Sequence, residues 1–451
     1  MTFDYVIVGG GISGLYAAYL LNKSKQSFCL IESRSELGGT WKSIPYKNSL
    51  FELGPNTIVD SSIDLQELID DLVLDEEILK TPLAKSKRYI FDDNKLIELK
   101  ANPFALMLSG LISPKGFLEI FKEPFNKKLS NEEESVRDFA IRKFGTEPTH
   151  KLIETFLKGV WAGDPEKLSS EFALKFLVEL ENEYGSIFSG FFSQILAKKE
   201  KKKTKSIISF RHGLQFLTSK IAEQLDKAFL KLNHEVHSIE REGNDYVLNI
   251  KDRDEQLKAK KVIFANKAYE AAGLLENLAP DLSKTLSSIY YAPIALFAYS
   301  LPKNKFKRSL DGFGYLSADN NYETLGTIWA SELFPERNLE NEYICLSFIG
   351  GAKNSKIIEK SDDLIWAKIV EEQLKVYQGW TNGDLKAGDF RLIASKKIVK
   401  AIPQLNIGHR EILRELKELS SSESTDFLFT GNYITGVSIK DTLACSKACS
   451  I

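Results

Sequence analysis

The sequence predicts an α/β chain carrying an inserted helical domain, on three observations. Residues 3–40 spell a strand, a glycine turn, a helix and a second strand closed by a carboxylate. An unbroken helical pattern then runs from 102 to about 196. Strand patterns return beyond it, and a further glycine turn at 431–436 opens a last helix.

The opening stretch places the chemistry. Residues 5–8 are β-branched and aromatic, suited to a buried parallel strand, and Gly9-Gly10-Gly11-Ile12-Ser13-Gly14 follows with G-x-G-x-x-G spacing. Gly9 permits the tight turn, Gly11 lets a pyrophosphate reach the backbone, and Gly14 lets the helix pack on the strand; the helix N-terminus offers its free N–H groups to phosphate. Residues 28–31 form the second strand, and Glu32 stands where an acidic side chain accepts hydrogen bonds from ribose hydroxyls. A lone G-x-G-x-x-G is weak evidence, but here strand, helix, second strand and acid occur in order. The domain is therefore of Rossmann type. Leu37-Gly38-Gly39, close behind Glu32, resembles the extension in flavoproteins of the amine oxidase superfamily, where a second glycine pair passes the FAD diphosphate. That resemblance implies FAD rather than NAD.

At 451 residues the chain is too long for one ordinary core, and with 43% hydrophobic residues it can fill two or three. Its 60 basic and 62 acidic side chains leave a net charge of -2, so no basic field points to nucleic acid. Cys29, Cys345, Cys445 and Cys449 are scattered without C-x-x-C; neither a disulfide framework nor a metal site is expected, and a reducing compartment is. The first strand begins too close to Met1 for a leader peptide, so a cytoplasmic location is expected. The most apolar part, 101–125, is broken by Pro103, Pro114 and Pro124 and falls short of the roughly 18 to 20 residues of a spanning helix.

Along the chain, residues 50–56 read as a strand running into a turn and 65–79 as a helix. Lys87-Arg88 on a β-like tetrapeptide reads at first as a solvated strand face. The helical insert contains amphipathic pieces at 136–144 and 152–160 and ends at a lysine-rich run, 198–205, expected to be a surface loop. Residues 207–210 are a strand, 213–225 a helix, 236–250 a hairpin turning at Gly243-Asn244, and 261–266 another buried strand. His234 and His237 lie on opposite faces of their strand, which argues against a metal. Strands are expected at 288–301, 323–334 and 343–348, a helix at 362–377, and a strand at 427–432 before the last helix. These patterns divide the chain into a discontinuous cofactor domain (1–75, 206–272 and 424–451), an α+β substrate domain (76–100 and 273–423), the helical domain (101–197) and the lysine loop (198–205).

Several blocks together resemble the oxygen-dependent, FAD-containing protoporphyrinogen oxidases, nearly end to end. They are Phe51-Glu52-Leu53-Gly54-Pro55-Asn56; Lys158-Gly159-Val160-Trp161-Ala162-Gly163-Asp164-Pro165 with Leu168-Ser169; Ser209-Phe210-Arg211-His212-Gly213-Leu214-Gln215; Thr324-Leu325-Gly326-Thr327-Ile328-Trp329 with Leu333-Phe334-Pro335; and Gly431-Asn432-Tyr433. The resemblance implies that noncovalent FAD meets Gly9, Gly11, Ser13 and Gly14 at its diphosphate and Glu32 at its ribose. It implies further contacts at Gly39, Lys42 and Gly54, the adenine at the Val236 backbone, and Gly431, Gly436 and Val437 beside the flavin and diphosphate. For substrate it implies Arg88 on a propionate, the Gly159 carbonyl on the pyrrole nitrogens, and Ile294, Leu310 and Trp329 clamping the macrocycle. Glu36 stands where the superfamily often has arginine, with Arg34 near enough to substitute. Trp161 and Trp329 replace other side chains and are expected to reshape the pocket.

The implied reaction oxidises protoporphyrinogen IX in heme or chlorophyll biosynthesis. Six electrons leave in three rounds by hydride transfer to flavin N5, and molecular oxygen is returned as hydrogen peroxide. It needs no nucleophile or metal, and no general base is assigned. Coproporphyrinogen III, a polyene or an amine are the alternative substrates, and a non-catalytic tetrapyrrole-binding flavoprotein is the alternative of another class. The apolar residues of 102–125, with Lys115, Lys122, Lys127 and Lys128, form either the helical core or a peripheral membrane contact; the resemblance favours the membrane.

Overall fold

The computed structural model describes residues 2–83, 86–100, 103–126, 133–197, 205–422 and 426–450. Apart from Lys205, the lysine-rich run lies outside the described residues, as do Lys127 and Lys128.

A seven-stranded sheet holds the amino-terminal strand Thr2–Val8 between Phe28–Glu32 and Gln256–Phe264, both parallel to it. Val6 and Val8 point to one apolar cluster, with Val262, Tyr246 and Ala268; Ile7 points to the other, with Leu15, Leu30 and Ile263. Burial on both faces explains why the strand reads as a continuous apolar run. The hairpin Val236–Glu242 and Asp245–Ile250 extends the sheet antiparallel, and Phe427–Phe429 pairs parallel with Gln256–Phe264. The chain's last strand thus returns to the sheet of its first, with Gln256–Phe264 between them. The helix Ile12–Lys23 covers the second face, packed with Leu217 and Ile221 of the helix Gln215–Glu223, with Leu214 just before that helix, and with Leu443 of the last helix, Ile439–Ser450.

A second seven-stranded sheet runs in the order Arg391–Pro403, Tyr291–Pro302, Glu342–Gly350, Thr324–Trp329, Gly314–Ser317, Arg88–Asp92, Lys95–Glu98. Alternation gives it two chemically distinct faces. Tyr89, Phe297, Tyr299, Tyr315 and Trp329 lie against Ile365, Ile369 and Tyr377 of the helix Asp362–Tyr377. The opposite face, Ile294, Leu296, Ile328, Phe348 and Ile398, meets Leu53 and Ala162. The cofactor-side loop at Leu53 and the helical insert at Ala162 therefore converge on one side of this sheet.

Two expected elements change. The helix expected over 65–79 stops early: it spans Ile63–Asp71, capped by Ser62 accepting from the Leu65 N–H, and Val73 at φ +53° turns the chain. Ile78–Pro82 then pairs as a strand with Ser206–Phe210, so Leu79 fills a sheet position. The strand expected over 323–334 ends at Trp329, where single 3₁₀ turns take over, Ala330–Glu332 and then Pro335–Arg337, whose proline cannot donate to a ladder and keeps the strand from resuming.

Candidate functional site

The glycine turn, the ends of Thr2–Val8 and Phe28–Glu32, and the last glycine turn enclose a cavity of about 800 Å³. Gly9, Gly11, Ser13, Glu32, Gly39, Val236, Gly431 and Val437 line it. The turn is shaped by backbone bonds: the Gly9 N–H donates to the Ile31 carbonyl at 2.8 Å and the Gly38 N–H to the Gly10 carbonyl at 2.9 Å. No side chain caps the helix that starts at Ile12, so its first N–H groups face the cavity available for an anion. A Cβ at Gly11 would come no closer than 3.9 Å to any atom of the protein outside its chain neighbours, which leaves room for a ligand.

Glu32 is 7% exposed and accepts from the Gly10 N–H at 2.8 Å and the Arg34 N–H at 2.9 Å. The Ser33 hydroxyl also donates to Oε1 at 3.2 Å, so that oxygen is filled, while Oε2, which takes only the Gly10 N–H, retains a lone pair for a ribose hydroxyl. Arg34 also lines the cavity and donates to the Gly39 carbonyl at 3.0 Å, while Glu36 is turned away onto Lys42 at 2.6 Å. Volume, free N–H groups, buried carboxylate and arginine together suit a dinucleotide. None of the four cysteines lines the cavity.

Four expected cofactor residues do not line it. Gly14 and Gly54 act one layer behind: a Cβ would stand 1.9 Å from the Gly9 carbonyl oxygen at the first and 2.2 Å from the Thr40 carbonyl oxygen at the second. Gly436, at φ +146°, turns the chain into the last helix against Asp441. Lys42 is held by Glu36.

Of the expected substrate residues, Ile294 lies on the sheet face shared with Leu53 and Ala162. Gly159 is exposed and lies so close to Leu316 that a Cβ would be 2.7 Å from its Cδ2. Arg88 pairs with Gly314, which pairs with Ile328, so all three stand in one row on the face opposite Tyr89 and Trp329. The Arg88 guanidinium lies 5.7 Å from the Phe313 ring, and among the described residues it has no ion-pair or hydrogen-bond partner. Burial alone pulls its pKa down.

Trp329 and Leu310 are corrections. Both are fully buried on the helix-covered side of the sheet. The Trp329 indole donates to the Tyr377 hydroxyl at 3.0 Å, and the Leu310 N–H donates to the Tyr343 hydroxyl at 3.2 Å. Because successive side chains on a strand face opposite ways, the residue that Thr324–Trp329 presents on the Ile294 face is Ile328. Trp161 likewise packs in the helical core, with Leu157 and Leu168.

The sequence reading missed Asn266 and Lys267, which follow the strand Gln256–Phe264 and line the cavity. The Asn266 Oδ1 is buried without a partner among the described residues. Burial, and beyond it the neighbouring Arg34 and Lys400, lower the pKa of Lys267. Polar residues at the carboxyl end of a parallel strand are the signal that could have found them.

With the geometry in hand, comparison with known proteins is direct. The flavin containing amine oxidoreductase family matches residues 12–439. The chain is 32% identical to the chloroplastic protoporphyrinogen oxidase 1 of Spinacia oleracea, with 97% of this chain and 81% of that one covered. It is 25% identical to the coproporphyrinogen III oxidase of Bacillus subtilis (strain 168), covering 98% and 96%. A crystal structure from Exiguobacterium sp. 255-15, provisionally assigned as a protoporphyrinogen oxidase, superposes with a TM-score of 0.82 at 19% identity over 99% of this chain and 98% of that one, a likeness of fold. The cradle and these matches lead to one assignment: the chain belongs to the flavin containing amine oxidoreductase family and is a flavin-dependent oxidoreductase.

Proposed function

We propose that the protein holds FAD noncovalently and oxidises protoporphyrinogen IX to protoporphyrin IX, with molecular oxygen as acceptor, in heme or chlorophyll biosynthesis. The observation that carries this reading is Arg88: a half-buried guanidinium without an acidic partner among the described residues, in one row with Ile328 on the apolar face that ends at Ile294. A charge kept from solvent in an apolar setting is stabilised by a counter-ion, and a flat apolar ring system bearing a carboxylate supplies both partners. A hydrocarbon polyene or an amine supplies no such anion. The names of the relatives from spinach and other plants point the same way.

When bound, FAD supplies a two-electron acceptor that oxygen regenerates with release of hydrogen peroxide, so the six-electron oxidation takes three rounds. The residues of the chain provide position and environment. Gly11, Ser13, Glu32, Arg34 and Val236 hold the dinucleotide end; Gly9 and Gly14 keep the turn open. Ile294, Leu296, Ile328 and Phe348 exclude water from one side of the cleft, and Gly159, lacking a side chain, makes room for Leu316 and leaves its own backbone carbonyl as the polar group offered to the pyrrole nitrogens. Arg88 anchors a propionate before and throughout the chemistry, which makes it a binding group. No side chain is required as a general base. Anaerobic addition of protoporphyrinogen IX, with coproporphyrinogen III in parallel, tests the proposal: stoichiometric bleaching of the flavin by the first is expected. Bleaching by coproporphyrinogen alone would move the substrate one step back, and bleaching by neither would leave a tetrapyrrole-binding flavoprotein at most.

We also propose peripheral membrane attachment through the helical insert, on the cytoplasmic face. Leu108 (71% exposed), Leu118 (63%), Phe121 (64%) and Phe125 (82%) present apolar surface beside the exposed Lys115 and Lys122. Leu111, Ile112 and Phe117 of the same stretch are core, packed with Ile90, so the segment divides between the two roles. No helix among the described residues is long and apolar enough to cross a membrane.

A further inference from the structure

Lys396 sits on the strand Arg391–Pro403 directly opposite Leu296, which faces Phe348 on the next strand. The row continues through Gly326 to Leu316, beneath Gly159. Four interstrand spacings, about 19 Å, separate its two ends. Lys396 therefore lies at the end remote from Gly159, where the sheet meets the cofactor-side loop. Its ammonium donates to the Leu53 carbonyl at 2.9 Å, next to Gly54. Around it are Leu53, Ile294, Leu296 and Ile398, an apolar seam.

The charge is uncompensated. Among the described residues Lys396 has no ion pair, and the charged groups that reach it are Arg34, Lys42 and Lys267, every one positive. Burial, followed by these three cations, lowers its pKa. Arg34 and Lys267 line the dinucleotide cavity and Lys42 follows Trp41, which also lines it. A lysine placed at a seam of apolar side chains, among other cations and with a single carbonyl for company, loses stability unless an anion arrives. Of the two places where an anion is expected, the dinucleotide cavity is the near one, since Arg34 and Lys267 line it, and Arg88, the expected carboxylate anchor, is five strands away in the same sheet.

We propose that Lys396 is the counter-charge to the electrons the flavin takes up, raising the reduction potential of the bound cofactor. Reduction adds negative charge to the ring system, and a fixed cation held in a water-poor seam favours that state. Lys396 is in this role an electrostatic residue that makes two-electron uptake from a C–H hydride donor easier, in each round alike. The inference rests on the flavin, which family membership provides, and not on the tetrapyrrole, so it stands or falls separately from the proposed substrate.

Two substrate-free measurements on the flavin-loaded protein test it: the two-electron midpoint potential by equilibration with a reference dye, and the affinity for sulfite, which adds to a flavin more tightly the better its negative charge is stabilised. Lys396→Met and Lys396→Gln are expected to bind sulfite about tenfold more weakly, equivalent to a potential lowered by about 30 mV for a two-electron couple. Lys396→Arg keeps both near the wild-type values. Unchanged potential and sulfite affinity in the loaded Met and Gln variants would overturn the proposal. So would loss of flavin from both, which would place the ammonium on the phosphates. An unchanged potential with weaker binding of a dicarboxylic porphyrin would reassign it to the substrate and equally end the proposal.

Discussion

Gly14 packs on Gly9 so closely that a Cβ on the first would stand 1.9 Å from the carbonyl oxygen of the second. At Gly11, three residues before Gly14, a Cβ would meet nothing nearer than the Gly39 Cα at 3.9 Å, an ordinary contact. The two glycines of one motif are thus required for different reasons. Gly14→Ala is expected to destabilise the flavin-free protein by about 1 to 3 kcal/mol, since the helix must move off the strand. Gly11→Ala, at an ordinary φ of -73°, should leave the flavin-free protein within about 0.5 kcal/mol of wild type while preventing cofactor loading. Thermal melts of flavin-free protein together with flavin content after reconstitution separate the two. Equal melting losses would contradict the assignment.

Arg88→Ala removes a guanidinium that no acidic residue holds in the described structure. Folding stability should therefore be unchanged or slightly higher. The KM for the porphyrinogen should rise about tenfold, corresponding to about 1.4 kcal/mol, with flavin reduction at saturation nearly unaffected. A KM equal to wild type would take Arg88 out of the site.

Ile328 and Trp329 are adjacent and face opposite sides of the sheet. Trp329→Phe leaves the buried Tyr377 hydroxyl without its indole donor and should cost about 1 to 3 kcal/mol of stability, with KM unaltered. Ile328→Ala should do the reverse, raising KM for a modest loss in melting temperature. Steady-state kinetics and melts on the same preparations check the pair; a KM effect confined to Trp329→Phe would reverse the assignment of faces.

The Lys143 ammonium, fully buried, lies 2.7 Å from Glu181 and 3.2 Å from Glu123. Burial raises the pKa of both carboxyls, but for Glu181 the bonds from Arg142 and Lys143 outweigh it, and for Glu123 the Ile187 and Phe188 N–H groups, the Ser186 hydroxyl and Lys143 do; each ends below its ordinary value of 4.5. A carboxyl depressed in the folded state contributes stability that is complete above the unfolded pKa and is lost as pH falls below it. Melting temperature should thus be flat from pH 7 to about 5 and fall below about 4.5. In Lys143→Met the drop is largely replaced by instability at neutral pH, about 3 to 5 kcal/mol, because two buried carboxylates lose a partner. A wild-type melting temperature that stays flat down to pH 3 would refute this.

Leu118, Phe121 and Phe125 are exposed where Phe117 is core. Replacing the three exposed residues by Ser should abolish cosedimentation with anionic liposomes at low salt and retain flavin content and melting temperature. Phe117→Ser should instead lower the melting temperature, at a cost of about 3 kcal/mol or more. Wild-type protein that stays in the supernatant would leave the patch without a membrane role.

Much of the site was legible in the chain because its parts are local. A strand, a glycine turn, a helix and an acid lie within 31 residues, Val8 and Glu32 end adjacent strands of one sheet, and Gly9, Gly11 and Gly14 have roles set by backbone geometry that no distant residue alters. The hairpin at 236–250 and the helix Asp362–Tyr377 were readable for the same reason: their periodicities are properties of the segments themselves. What only the tertiary structure decided was which way side chains face and what becomes of charges. Whether Ile328 or Trp329 meets the substrate depends on a register of one residue, and that register is fixed by Gly314 on one neighbouring strand and Leu346 on the other. Lys396 and Lys42 are the same residue type in sequence, but folding gives Lys42 a carboxylate and leaves Lys396 only a carbonyl in an apolar seam. Composition fixes how many charges a chain carries; the long-range contacts of the fold determine which of them remain unpaired, and those are the charges a ligand must answer.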